Sequence, residues 1–359
     1  MLIKSRRNNT NQYDQFFFGR GKLLLTGEYF VLDGATSLAL PLKVGQALTV
    51  EYAQSYSPKL HWRSFDVNGN LWLDCRFEFW RFNCLDERVP KEIELLQTLL
   101  RQARKQNPHF LRDEVDVYVT TKLGFPLEWG LGSSSSLIYN IAQWAYISPF
   151  ELLFNTYGGS GYDIACAQSD GPILYEKQKS GPNWSPTKFN PPFSDKLYFV
   201  YRGTKQDSQA AILRYNQSWP YPPEAIYSIS EITKGILEAK SLDEFNFLIA
   251  GHEKLVAKYL KLIPVKEEFF ADYWGEIKSL GAWGGDFILV TSDRSYKETK
   301  AYFEERNFNI CIPYKDLVLS EDSCKATVNT TSVADILAEE VIPLAVVNDG
   351  RAGSNVQLQ

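Results

Sequence analysis

Histidine is scarce in this 359-residue chain: His61, His109 and His252 are the whole set, and none is paired at ligand spacing. Chemistry built on a histidine base or a histidine-rich metal site is therefore not expected. The five cysteines, Cys75, Cys84, Cys166, Cys311 and Cys324, are odd in number and scattered without CxxC spacing. That argues against zinc and suits a reducing, cytoplasmic setting. Long apolar runs are missing too; stretches such as 287-FILV-290 are strand-length, so no membrane span is expected. The N-terminal MLIKSRRNNTNQYDQ has no apolar stretch behind its basic residues and does not read as a signal peptide. Positive charge is not in excess, the net charge being -5, so no nucleic-acid footprint is expected. Finally, residues 315–359 contain no Phe, Tyr or Trp in a chain that is 14% aromatic. The tail, residues 320–359, reads as an addition of uncertain role, with 348-NDGRAGSNVQLQ-359 disordered.

What is present is an ordinary globular balance, 44% hydrophobic and 23% charged, with length enough for two lobes. The first half carries strand-like stretches at 16–42, 47–53, 59–67 and 70–80, with Asn68-Gly69 as a hairpin turn. Apolar positions at helical spacing over 91–106 predict a helix; 114–123 reads as a strand and 137–147 as a helix. Strands followed by helices favour an α+β domain. The Pro-, Lys- and Ser-rich segment 177–194 predicts a linker or long loop, dividing a lobe at 1–175 from one at 176–319. In the second lobe, strands are expected at 196–203 and 286–292, and helices at 207–216, 224–240, 242–260 and 296–307.

Four short segments carry chemistry. Gly130 to Ile138 reads GLGSSSSLI, a glycine-rich turn opening a helix. Backbone N–H groups at such a start converge where the helix dipole is positive, which suits a phosphate; a slack polar loop is the alternative. No lysine follows, so the Walker A pattern is absent. In 158-GGSGYDIACAQSDG-171, Asp163 is either a helix cap or a carboxylate that orients a substrate hydroxyl. Glycines precede a strand in 278-KSLGAWGGDFILV-290, and Lys22 stands between a glycine and an apolar run.

Taken in order, these segments resemble the GHMP kinases, the superfamily of galactokinase, homoserine kinase, mevalonate kinase and phosphomevalonate kinase. The first motif is 21-GKLLLTGEYFVLDG-34, the second 126-PLEWGLGSSSSL-137, the aspartate motif 158-GGSGYDIA-165, and the third 281-GAWGGD-286. The resemblance spans residues 16 to about 315. It implies two lobes, an N-terminal one like ribosomal protein S5 domain 2 and a ferredoxin-like C-terminal one. It also implies ATP and Mg²⁺ as cofactors, a small-molecule substrate, and a monomer or homodimer. GEY, SGYDIA and the closing GGD are more similar to phosphomevalonate kinases, with mevalonate kinase as the alternative. Diphosphomevalonate decarboxylase and a non-catalytic ligand-binding relative are more distant readings.

By the same resemblance, Gly130, Leu131, Gly132, Ser133, Ser134 and Ser135 wrap the ATP phosphates, and Ser134 contacts Mg²⁺. Lys22 and Asp163 are the catalytic pair. Glu28, Tyr29, Ser160, Gly161, Arg202, Lys205, Gly281, Gly284 and Gly285 are expected around the acceptor and the floor of the site. The family carries a magnesium-binding glutamate between the second motif and the aspartate motif. Here that gap is short, 23 residues between Ser136 and Ser160, and Glu151 is its one acidic residue. Trp283 stands where the family has a glycine, and Leu280 where phosphomevalonate kinases often carry serine.

Overall fold

The computed structural model describes residues 14–86, 90–112, 115–203, 215, 222–281, 283 and 286–320. Apart from Tyr215, the predicted helix at 207–216 lies outside them, as does the tail at 321–359.

The N-terminal lobe is built on the strand β2 (Ser37–Gln54), whose 18 residues allow it to pair with three neighbours. Strand β1 (Gln15–Leu24) runs antiparallel to it, as do β5 (Val115–Leu123) and β6 (Ile173–Gln178). Beyond β5 lie β3 (Leu60–Phe65) and β4 (Leu71–Phe77), joined by the Asn68-Gly69 turn; β3 is parallel to β5. The outer edge is β7 (Gly181–Pro186), antiparallel to β6. The segment expected as a linker thus contains a strand of the first sheet. Its Pro, Ser and Asn content fits an exposed edge strand, where unpaired backbone faces water. The first sheet accordingly runs past residue 175 to Pro186.

Helices cover one face of this sheet. In α1 (Lys91–Gln106), Ile93, Leu96, Leu99, Leu100 and Ala103 recur at helical spacing and are all buried, as the sequence pattern predicts. Helix α2 (Ser133–Ala145) packs beside it, followed by α3 (Pro149–Phe154) and α4 (Tyr162–Ala167). The serine run belongs to the first turn of α2, four residues earlier than its apolar pattern suggests.

The C-terminal lobe is a four-stranded antiparallel sheet in the order β11-β8-β10-β9. Its strands are β8 (Leu197–Tyr201), β9 (Ile277–Ser279), β10 (Phe287–Thr291) and β11 (Cys311–Pro313). Between β8 and β9 lie α5 (Pro223–Glu238), α6 (Leu242–Leu260) and α7 (Val265–Phe269); α8 (Tyr296–Glu304) follows β10. Strand, helices, two strands, helix, strand is the ferredoxin-like sequence of elements expected for this lobe. The lobes share one core: Leu38, Leu40 and Leu42 of β2 and Trp129 pack with Phe199, Phe245, Phe287 and Leu289. A short helix α9 (Tyr314–Leu317) leads back to the first lobe, where Leu319 N donates to Pro41 O at 3.0 Å. Among the described residues no helix is long and apolar enough to cross a membrane.

Candidate active site

Strand β1 sets the position of Lys22. The pairing of β1 with β2 slips between Arg20 and Lys22, so Arg20 faces Gly45 while Lys22 faces Pro41. Irregularities of this kind bend a strand and re-aim its side chains. Beyond that slip, Lys22 donates to the turn before α2 from both its backbone and its side chain. Its backbone N donates to Leu131 O at 2.9 Å, and its Nζ donates to Gly130 O at 3.1 Å.

That turn depends on two glycines. Gly130 and Gly132 are left-handed, with φ of +66° and +98°. A Cβ on Gly132 would stand 2.9 Å from Lys22 Cγ, so the lysine stem occupies the space a side chain would need. Gly132 is also the N-cap of α2 and has no side chain to satisfy the first-turn amides. The N–H groups of Ser133, Ser134 and Ser135 are left without an intrahelical acceptor, at the positive end of a 13-residue helix. Ser134 is exposed and Ser133 half-exposed. Ser135 and Ser136 are buried, and both hydroxyls turn back to donate to Gly132 O at 2.9 Å. Ser135 therefore offers a ligand its amide, while Ser134 offers a hydroxyl as well.

Asp163 arrives from the opposite side, at the start of α4. Gly161 (φ +96°) is the N-cap, and the Ser160 carbonyl is anchored by the Tyr175 hydroxyl. Asp163 Oδ1 accepts from its neighbour Ile164 N at 3.1 Å. Burial raises the Asp163 pKa above the ordinary carboxylate value, opposed by the Lys22 charge and that amide. Burial also works against the Lys22 charge, yet Tyr162, Asp163 and Asp286 together outweigh it and raise its pKa. The ammonium lies 5.7 Å from the centre of the Tyr162 ring. The structure thus brings together Lys22, the 130–135 cradle, Ser160, Gly161 and Asp163.

Glu151 is not brought to them. It sits in the first turn of α3, past the C-terminal end of α2, and the Gln106 amide can reach its carboxylate at 3.2 Å. Ser134 is in the first turn of α2, whereas Asn107, next to Gln106, bonds the carbonyl of Ala145 at the other end of that helix, which is roughly 20 Å long. Among the described residues no group of three or more His, Cys, Asp or Glu is arranged to hold a metal. A magnesium ion bound to a ligand's phosphates keeps several waters and takes few oxygens from the protein, mostly carboxylate. The exposed Ser134 hydroxyl offers one oxygen.

Glu28, expected at the acceptor, is enclosed with 0% side-chain exposure and paired with the equally buried Lys278 of β9. Lys278 also lies 3.9 Å from Glu253 of α6, and His252 Nε2 accepts from Gly27 N at 3.0 Å. Two carboxylates share one lysine in this enclosed cluster. Burial raises both Glu28 and Glu253, the latter to about 7, while burial and Lys278 hold His252 neutral. Tyr29 is buried with a strained φ of +64° and stacks on Tyr215 at 5.4 Å. Trp283 has a left-handed backbone (φ +49°), and its Nε1 donates to Glu253 Oε1 at 3.2 Å. It packs with Tyr29, Phe30 and Tyr215 rather than projecting into the cradle.

Arg202 follows β8 and donates through its backbone N to Asp286 O at 2.9 Å, while its guanidinium lies 4.4 Å from the Phe269 ring centre. Gly281 (φ +65°) stands beside the Asp286 carboxylate. Lys205, Gly284 and Gly285 lie outside the described residues. Sequence reasoning missed Asp286, Lys278, His252 and Glu253. The first two stand within quoted motifs; nothing in the α6 sequence pattern marks the latter two.

No protein-family model matches the chain, and no curated protein matches it in sequence. Solved structures match its fold. The mevalonate kinase of L. major, in complex with R-mevalonate, is 15% identical; the match covers 85% of this chain and 96% of that one, with a TM-score of 0.58. The Streptococcus pneumoniae phosphomevalonate kinase, in complex with phosphomevalonate and AMPPNP, is 19% identical over 82% and 97%, with a TM-score of 0.58. The Lactococcus lactis galactokinase, complexed with galactose, is 12% identical over 81% and 88%, at 0.53. The chain has the fold of these kinases.

Proposed function

We propose that this chain, folded as a GHMP kinase, is an ATP- and Mg²⁺-dependent kinase that converts phosphomevalonate to diphosphomevalonate in isoprenoid biosynthesis. The observation that carries the kinase reading is the double anchoring of Gly130 and Leu131 by Lys22, with Asp163 as its electrostatic partner. Phosphoryl transfer asks a protein mainly for positioning and neutralisation of charge, and this arrangement supplies both. The amides of Ser133 to Ser135 would hold phosphate oxygens, and Ser134 would add a hydroxyl to Mg²⁺, which neutralises charge between the phosphates when bound. The acceptor oxygen attacks the γ-phosphorus, the bond from that phosphorus to the bridging oxygen breaks, and ADP leaves.

Lys22 would steady the transferring group and Asp163 would orient the acceptor. A phosphate acceptor is already ionised near neutral pH, so in this reading Asp163 orients more than it deprotonates. The choice of phosphomevalonate over mevalonate is supported by the GEY, SGYDIA and GGD stretches, which resemble phosphomevalonate kinases. Arg202 and Lys205 are the basic residues proposed to meet the acceptor's anionic groups.

The test is ADP release over a panel of acceptors, with the product identified by phosphorus NMR. Turnover of phosphomevalonate supports the full reading, and turnover of mevalonate alone keeps the kinase while changing its acceptor. Protein that binds ATP but phosphorylates neither overturns the proposal.

A further inference from the structure

The third motif contributes more than a glycine floor. Its last residue, Asp286, is 7% exposed, and its carboxylate lies against the turn that Lys22 anchors. A Cβ on Gly130 would come within 2.6 Å of Asp286 Cγ, and one on Gly281 within 3.2 Å of Oδ2. Gly130 is therefore approached from two directions. The Lys22 ammonium holds its carbonyl at 3.1 Å, and the Asp286 carboxylate closes over its Cα. The lysine comes from the first lobe and the aspartate from the head of β10 in the second. Asp163 is the other carboxylate that acts on Lys22, so the ammonium is held between acids of both lobes.

We propose that Asp286 is a positioning residue, whose carboxylate fixes the Gly130 turn and orients the Lys22 ammonium across the lobe interface toward the phosphate cradle. The catalytic consequence rests on the kinase reading above; the geometric one does not. A lone Asp163 would draw the ammonium toward α4. A second carboxylate on the far side of Gly130 balances that pull and keeps Nζ at the turn. The groups facing Lys22 are then Tyr162 and Asp163 of α4 and Asp286 of the second lobe, with Cys166 one turn further along α4.

The test reads Lys22 itself in the full chain. Lysine Cε–Nζ NMR signals, with Lys22 assigned by its loss in Lys22→Met, are titrated in wild type and in Asp286→Asn. The expected result is a lower Lys22 titration midpoint in Asp286→Asn than in wild type, with circular dichroism unchanged. In turnover assays the same variant is expected to lose roughly 10- to 100-fold in kcat, with the alkaline limb of the kcat profile moving down in pH and the KM for ATP within about threefold. An unchanged Lys22 midpoint overturns the proposal. If wild type turns over no acceptor, the kinase reading fails, while the titration still decides the role of Asp286. Should Asp286→Asn not fold, Asp286→Ala titrated with and without formate replaces it. Formate should restore the wild-type midpoint, and failure to do so counts against the proposal.

Discussion

Glu28 and Lys278 form an ion pair in which neither side chain has any exposed surface, although 250 residues separate them. Glu28 belongs to the GEY turn of the first lobe, and Lys278 stands three residues before Gly281, where the glycine turn of the third motif begins. The pair joins the two lobes directly. Removing a charge from water costs several kcal/mol, so each partner is tolerable only because the other is present.

Breaking that pair from one side should be severe. Lys278→Met leaves Glu28 and Glu253 enclosed without a cation, and is expected to cost roughly 3–5 kcal/mol. Adding Glu28→Gln should recover part of the loss. Denaturant unfolding of the single and double variants checks this, and equal stability of the two would count against the coupling.

Glu253 makes stability depend on pH. Its pKa rises from 4.5 to about 7 on folding, with burial as the leading cause. Between these values the folded protein keeps a proton that the unfolded chain has released, so stability falls as pH rises through the window. The full effect is on the order of 3 kcal/mol. Glu253→Gln is expected to flatten the fall, read as urea midpoints at several values between pH 4.5 and 8. His252 acts with the opposite sign below its ordinary value of 6.5, but it is present in both proteins and cancels in the comparison.

The cradle should not tolerate a methyl group. Gly132→Ala places a Cβ at φ +98° and 2.9 Å from both Lys22 Cγ and Ser135 Oγ. Strain of roughly 1–3 kcal/mol is expected, together with weaker binding of a fluorescent ATP analogue. Nucleotide affinity equal to wild type would remove Gly132 from the site.

Asp163→Ala and Glu151→Ala should behave differently. The first removes the carboxylate beside Lys22 and is expected to lower turnover by roughly 10²- to 10⁴-fold. The second lies at the far end of α2 and should leave both kcat and its magnesium dependence unchanged. A large rise in the magnesium requirement of Glu151→Ala would show that the ion reaches it.

Local patterns carried much of this fold because they report short-range physics. The apolar spacing of residues 91–106 marks one face of a helix, and α1 has those bounds. The same holds for 242–260, where Ser241 caps the helix by accepting from Glu244 N at 3.2 Å. Polarity misled at 177–194, because an edge strand such as β7 needs little apolar surface and so reads as a loop. The apolar signal also hid the first turn of α2, since a run of serines carries no hydrophobic period to mark it as helix.

Glycine spacing, a lysine before it and an aspartate after it were sufficient, within the sequence, to single out the Gly130–Ser135 turn together with Lys22, which bonds it, and Asp163, which acts on that lysine. Left-handed turns demand glycine locally, and an apolar run after them demands a helix. Which distant groups would share an enclosure was decided only by tertiary packing. Glu28 meets Lys278, Trp283 meets Glu253, and Asp286 closes on Gly130 because two lobes share one core. Burial then set their charge states, and burial is a property of the folded chain rather than of any segment within it.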